Sequence, residues 1–261
     1  MLTRSIMRFF NKHPEYSEWR LTDAGIGPLY SYAELENKLI GIYYSFMEEF
    51  NGYPQSLEKI ATGDLKFGEM LDFIDSDNMV ERVLFFAALT ALGQVLNGNV
   101  KLSYGLKLLD IINPYLIEGS KVVVLGHLAP IVHALRQKPN LEIFVFERNK
   151  ARVGNGVLSD IFEYKHLENA NVAIFTGASL ALPNIDVLIE LSKRAKIRAV
   201  VGPSASLPIE ILEKSGFNVI GGSFLENNSL VRRFVMLGSG YRTLKKYGLT
   251  REYFYVRLGG E

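Results

Sequence analysis

The chain has no cysteine among its 261 residues, which excludes disulfides, thiolate nucleophiles and cysteine-ligated zinc or iron–sulfur sites. Net charge is nearly absent as well. Twenty-nine lysines and arginines stand against 28 aspartates and glutamates, a formal +1, so no long-range field draws nucleic acid or an anionic membrane surface. The opening MLTRSIMRFF carries Arg4 and Arg8 where a secretory signal needs an unbroken apolar core. The longest strongly apolar stretch, Val83 to Leu96, falls short of a bilayer span and contains Thr90 and Gln94. The sequence also lacks a GxGxxG fingerprint, a GxSxG elbow and an HExxH spacing, the signatures of classical dinucleotide binding, α/β-hydrolase chemistry and zincin catalysis. With 48% hydrophobic and 22% charged residues, the composition is that of an ordinary globular protein. A soluble cytoplasmic protein with neither a nucleic acid nor a membrane partner is expected.

One stretch carries most of the order: residues 121–147, KVVVLGHLAPIVHALRQKPNLEIFVFE. Val122, Val123, Val124 and Leu125 make the continuous apolar, β-branched run of a strand buried on both faces. Gly126 ends it, His127-Leu128-Ala129 forms the turn, and Pro130 suits the first turn of a helix whose apolar positions are Ile131, Val132 and Leu135. A second run, Ile143 to Phe146, closes on Glu147, 21 positions after Gly126. This spacing predicts a strand–turn–helix–strand crossover. In doubly wound sheets an acidic residue at that place accepts hydrogen bonds from ribose hydroxyls.

Residues 1–16 read as an amphipathic helix or loosely held arm. Strand sequence follows, with Leu39 to Met47 its clearest run; from Ser56 the apolar period becomes helical, and Asp75 to Asn78 supplies capping side chains before an apolar helix at 79–96. Strands followed by helices indicate an α+β first half. Lys101 to Ile112 reads as a helix ended by Asn113-Pro114. From Gly119 onward, strands at 121–125, 142–147, 171–175, 198–201 and 217–220 alternate with helices at 130–138, 157–165, 184–195 and 207–215, the pattern of a mostly parallel sheet covered on both faces. The overall class is therefore α/β, with a smaller α+β domain over 1–110 and the parallel-sheet domain over 111–261. Residues 227–261 read as helical with an aromatic tail (Tyr253, Phe254, Tyr255), which makes a homodimer a further expectation.

In an open parallel sheet, ligands bind outside the carboxyl ends of the strands, so the turns there supply the candidate site. They are Gly126-His127, Glu147-Arg148-Asn149, Thr176-Gly177-Ala178-Ser179, and Gly202-Pro203-Ser204-Ala205-Ser206. Glycine lets a ligand approach the backbone, and serine or threonine bonds an anion or caps a helix. Each has a plainer reading: a turn residue for His127, an ion pair with Lys150 or Arg152 for Glu147, helix caps for the hydroxyls. The segment NKARVGNGV after Arg148 reads either as a basic flap over an anionic ligand or as a solvated loop.

The motifs VVVLGHLAPIVHAL, IFVFERN, NVAIFTGASL and VVGPSASLPIEILEKSGFNVIGG, in that order, resemble a prokaryotic family of unknown function labelled "putative heavy-metal chelation domain"; DNMVERVLFFAALTALGQVLN resembles the helix closing its first domain. The resemblance implies an enolase-N-terminal-like α+β domain joined to a Rossmann-like domain, with a site in the cleft between them. It carries over to Gly126, Pro130, Glu147, Thr176, Gly177, Gly202, Pro203 and Ser204. Thr90 and Leu182 stand where the family commonly has asparagine, and His127 where it often has an aromatic residue.

Taken together, these readings give a protein that binds a small polar ligand in the cleft. Gly126, Thr176, Gly177, Gly202, Pro203 and Ser204 provide contacts, Glu147 the anionic anchor, and His127 with Glu147 the ligands for a divalent metal ion, the candidate cofactor. A sulfur-free donor set suits intermediate divalent ions better than soft ones. The alternatives are a transferase using a nucleotide-like or S-adenosylmethionine-like ligand, and a non-catalytic scaffold.

Overall fold

A computed structural model describes residues 1–50, 52 and 54–258; residues 51, 53 and 259–261, the last of them the end of the C-terminal stretch, lie outside the described residues. Helix α1 (Leu2–Lys12) buries Leu2, Ser5, Ile6, Phe9 and Phe10 along one stripe, the periodicity of an amphipathic helix. Its N-terminal ammonium pairs with Asp186 at 2.8 Å, so the arm is docked. Strands β1 (Leu21–Ile26), β2 (Tyr30–Leu35) and β3 (Ile40–Tyr44) form an antiparallel meander in the order β1-β2-β3. Helix α2 (Ser56–Thr62) and a 3-10 segment lead to α3 (Met79–Leu96), capped by the Asn78 side chain accepting the Val80 N–H at 2.9 Å.

Helix α3 is buried almost all round because the meander lies on one side and the larger half on the other. A Cβ on Gly93 would stand 1.8 Å from the Ser206 carbonyl oxygen, so only glycine permits this approach. The apolar span is longer than Val83 to Leu96: Met79–Asn99 has 21 residues of mean hydropathy 1.6, enough to cross a membrane by length and composition. Yet 78% of it is buried inside the fold, which is the situation of a core helix.

The larger half follows α4 (Leu108–Ile112), which is much shorter than the helix expected over 101–112. Its elements are β4 (Lys121–Leu125), α5 (Ala129–Arg136), β5 (Glu142–Glu147), β6 (Leu158–Ser159), α6 (Tyr164–Leu167), β7 (Val172–Thr176), α7 (Ile185–Leu191), β8 (Ile197–Val201), α8 (Ile209–Lys214) and β9 (Val219–Leu225). Helices α9 (Asn228–Met236) and α10 (Tyr241–Lys246) then precede β10 (Thr250–Val256). The seven-stranded order is β10-β9-β8-β7-β4-β5-β6, parallel but for β10. A mixed α/β protein with a large, mostly parallel sheet and a smaller antiparallel one is thus what the alternation indicated.

Two expectations are corrected. The helix expected over 157–165 is instead the two-residue edge strand β6, a 3-10 turn and the short α6; Ile161 and Phe162 within it are 65% and 43% exposed. The C-terminal stretch is helical only at first. Its aromatic tail is β10, paired antiparallel with β9, and Tyr253 is buried with its hydroxyl accepting from Asn97 Nδ2 at 2.8 Å.

Along β4, Val123 and Leu125 enter the main core with Phe85, Phe86 and Phe175, while Val122 and Val124 join a second cluster under Val132 and Leu135. Alternate side chains thus bury both faces of the sheet. A third cluster packs Val231, Val235 and Leu244 of α9 and α10 against Tyr32, Ile40 and Ile42 on the meander.

Candidate functional site

Strand β4 has β5 on one side and β7 on the other, so the chain leaves it in one direction and later returns in the other. At such a switch point the carboxyl-end turns diverge and leave a crevice. Gly126 follows β4 with φ +90°, and a Cβ there would stand 2.5 Å from Thr176 Cγ2; both the backbone conformation and the contact select glycine. Beside it lies a cavity of about 210 Å³, with Gly126, His127, Glu147 and Thr176 on its large-sheet wall. Tyr30, Tyr44 and Phe46 line it from the meander side.

Glu147, the last residue of β5, is held from both sides. The His127 N–H donates to its Oε2 at 3.1 Å and the Asn149 N–H to its Oε1 at 2.9 Å. Two backbone donors fix the carboxylate and still leave lone pairs for a ligand.

The GPS turn and Gly177 of the TG turn have a different task, while Thr176, Ala178 and Ser179 of the TG turn line the cavity. The Tyr44 N–H donates to Ser204 Oγ at 3.0 Å, and the Tyr43 hydroxyl donates to the Gly177 carbonyl at 2.8 Å while accepting the Ala181 N–H at 2.9 Å. A Cβ on Gly177 would meet the Ala205 nitrogen at 2.2 Å. Gly177 and Ser204 therefore join the meander to the large sheet and, with Gly202 and Pro203, lie outside the cavity lining, whereas Gly126, His127, Glu147 and Thr176 come together on it. Thr90 is buried against the carbonyls of Ile42 and Ala87, away from the cavity; Leu182 lines it.

Sequence reasoning left several lining residues without a role: Tyr30, Tyr44, Arg148 and Glu163. Arg148 follows Glu147 directly and was open to inspection. The Arg148 guanidinium holds Glu49 through Nη2 at 2.7 Å and Asp160 through Nη1 at 3.2 Å, and Asn149 Nδ2 donates to Glu48 at 3.3 Å, so this turn reaches across the cleft to the smaller half. Glu163 is 5% exposed. Burial first, and the neighbouring Asp160 second, push its carboxyl up to about 7. Burial likewise raises the Tyr44 phenol, with Glu48 adding to it.

The donor set was tested against a metal. Among the described residues no three His, Cys, Asp or Glu gather at metal-binding range, and both oxygens of Glu147 already accept backbone hydrogens. His127 and Glu147 alone do not fit a closed chelating site, which needs more protein ligands than two.

The family model of DUF364, described as "Putative heavy-metal chelation", matches residues 110–254. An uncharacterized protein of Methanocaldococcus jannaschii is 28% identical over 214 residues, which is 79% of this chain and 79% of that one. A solved structure of unknown function from the same family, from Pyrococcus horikoshii, matches with a TM-score of 0.81 at 22% identity, covering 98% of this chain and 100% of that. Another, from Desulfitobacterium hafniense, matches with a TM-score of 0.74 at 19% identity over 97% and 99%. These two likenesses concern the fold.

Proposed function

The chain belongs to the DUF364 family, and from that premise and the shape of the cleft we propose that it binds a small polar organic ligand carrying ribose-like vicinal hydroxyls, with Glu147 as their acceptor. The observation that carries this reading is the Glu147 carboxylate, fixed by two backbone N–H groups on the wall of a cavity at the switch point of the sheet. A nucleoside is the simplest probe with that chemistry. A transferase using a nucleotide-like or S-adenosylmethionine-like ligand is the second reading, favoured by the same carboxylate at the end of the strand after β4. Chelation by His127 and Glu147 alone is disfavoured by the small donor set.

Thermal unfolding tests these readings against each other. Adenosine and S-adenosylmethionine, added separately, are expected to raise the midpoint with concentration. At a hundredfold excess over Kd the stabilisation is about 2.7 kcal/mol, or roughly 5 °C for a chain of this size. Glu147→Gln is expected to remove most of that rise. A rise from Mn²⁺ or Zn²⁺ alone that Glu147→Gln abolishes, with none from the adenosine compounds, refutes the organic-ligand reading in favour of chelation. No rise from either set favours a scaffold.

A further inference from the structure

Glu163 stands at the cleft with no role in the reading above. It belongs to the segment between the edge strand β6 and α6, is almost wholly buried, and lines the same cavity as Glu147. Its Oε1 accepts a hydrogen bond from the neutral Asn184 amide at 3.2 Å. Among the described residues its other oxygen has no protein hydrogen bond and is not sealed from solvent, and the residue lines the cavity. Among the described residues Glu163 makes no ion pair. The charged groups facing it are Asp160, on its own turn, and Arg148, from the end of β5. Arg148 is already claimed by Glu49 and Asp160. Of the two neighbouring carboxylates, Asp160 therefore has the cation and Glu163 has a neutral amide.

We propose that Glu163 is held as a neutral carboxylic acid and donates its proton in a hydrogen bond to an acceptor on the bound ligand, a ring nitrogen or carbonyl of a nucleobase-like heterocycle. A buried carboxyl beside an ionised one keeps its proton because the charged form is penalised twice, by desolvation and by its neighbour. In that form the oxygen without a protein partner carries the donor while Oε1 keeps the Asn184 hydrogen bond, which suits an acceptor on the edge of a heterocyclic base. Tyr44 and Phe46, whose rings meet edge-on at 4.9 Å and 88°, supply aromatic surface on the meander side of the cavity. Heterocycle and sugar would then be read by separate carboxyls, Glu163 through its proton and Glu147 through its open lone pairs. The proposal rests on the cleft reading and adds the protonation state.

The test is calorimetric titration of the whole chain with adenosine, which does not itself titrate near neutrality. With a midpoint near 7, the acid form falls from about ten-elevenths at pH 6 to about one-eleventh at pH 8, so the Kd for adenosine is expected to weaken about tenfold over that range. His127 lines the same cavity, so the variant separates any contribution of that side chain from that of Glu163. Glu163→Gln keeps a neutral donor and is expected to bind with a Kd that changes less than about twofold between the two pH values. A wild-type Kd flat across the range overturns the proposal and leaves the cleft reading standing, as does a variant that keeps the tenfold change. Absence of adenosine binding at both pH values overturns the two together. The ¹³C shift of the Glu163 carboxyl in the wild type gives a measurement independent of the variant's folding. A midpoint near 7 supports the proposal, and a midpoint in the ordinary carboxylate range overturns it.

Discussion

The burial of Glu163 has a consequence for the ligand-free protein that can be measured directly. In the folded chain the carboxyl is pushed up to about 7 from an ordinary value of 4.5. The folded state therefore holds a proton that the unfolded state releases throughout that interval. Stability falls with pH wherever the folded state binds more protons. The contribution of this group is thus unimpaired below about pH 4.5, declines as pH rises toward 7, and is fully lost above it. The shift corresponds to about 3 kcal/mol at 1.36 kcal/mol per pH unit; the open cavity side screens part of it, which leaves about 2 kcal/mol. Glu163→Gln carries no such penalty. Urea unfolding of both proteins at pH 5 and at pH 8 is expected to show similar stabilities at the lower pH and a variant more stable by about 2 kcal/mol at the higher one, or roughly 4 °C in Tm. A difference between the two proteins that is the same at both pH values would refute the reasoning, as would a wild type that gains on the variant above pH 7.

Three further outcomes follow from the cleft and its walls. Tyr43→Phe removes a buried hydroxyl that the Gly177 carbonyl and the Ala181 N–H both use, and should cost about 1–3 kcal/mol in chemical denaturation. Gly126→Ala places a methyl 2.5 Å from Thr176 Cγ2 on a backbone at φ +90°; a loss of about 1–3 kcal/mol is expected from the backbone conformation alone, with adenosine binding reduced in the same titration used for the wild type. Arg148→Ala frees Glu49 and Asp160, but these pairs are part-exposed, so the stability change should stay within about 1 kcal/mol. Because the Arg148 charge lowers the Glu163 midpoint, removing it should move the ¹³C titration of Glu163 to higher pH.

The parallel sheet was legible because its strands are short, continuous apolar runs with turn residues at their carboxyl ends, as at Val122 to Gly126 and Val172 to Thr176, where both faces are buried and no polar alternation confuses the period. The 157–165 segment was misread for the opposite reason. Ile161 and Phe162 are apolar yet exposed, and a spacing rule has no means of separating an exposed apolar side chain from a buried one. Strand β10 carries strand-favouring residues in Thr250, Tyr253, Phe254, Tyr255 and Val256, but read alone the cluster is equally an aromatic tail, and its antiparallel pairing with β9 is a tertiary fact. At the site, Glu147 and Gly126 were readable from their place in the crossover. The docking contacts of Gly177 and Ser204 were not legible, since whether such a group faces a cavity or a neighbouring strand is decided by the meander that docks there. Ser204 meets Tyr44, 160 residues away in sequence.

The arrangement of carboxyl groups around the cleft bears on what it takes up. Glu147 is claimed by two backbone N–H groups, Glu49 and Asp160 by the Arg148 guanidinium, and Glu48 by the Asn149 amide. A site for a hard dication leaves its carboxylates unpaired until the ion arrives, so that their mutual repulsion is relieved by binding. A site for a soft ion supplies sulfur, and this chain contains no cysteine. Here each carboxylate already has its own hydrogen-bond donor or cation, so a dication competes with those partners for the same negative charge and binds at a cost. A neutral ligand with hydroxyl and heterocyclic groups faces no such cost. It adds hydrogen bonds to lone pairs that the existing partners leave open, and the proton proposed on Glu163 would give it a donor beside the Glu147 acceptor.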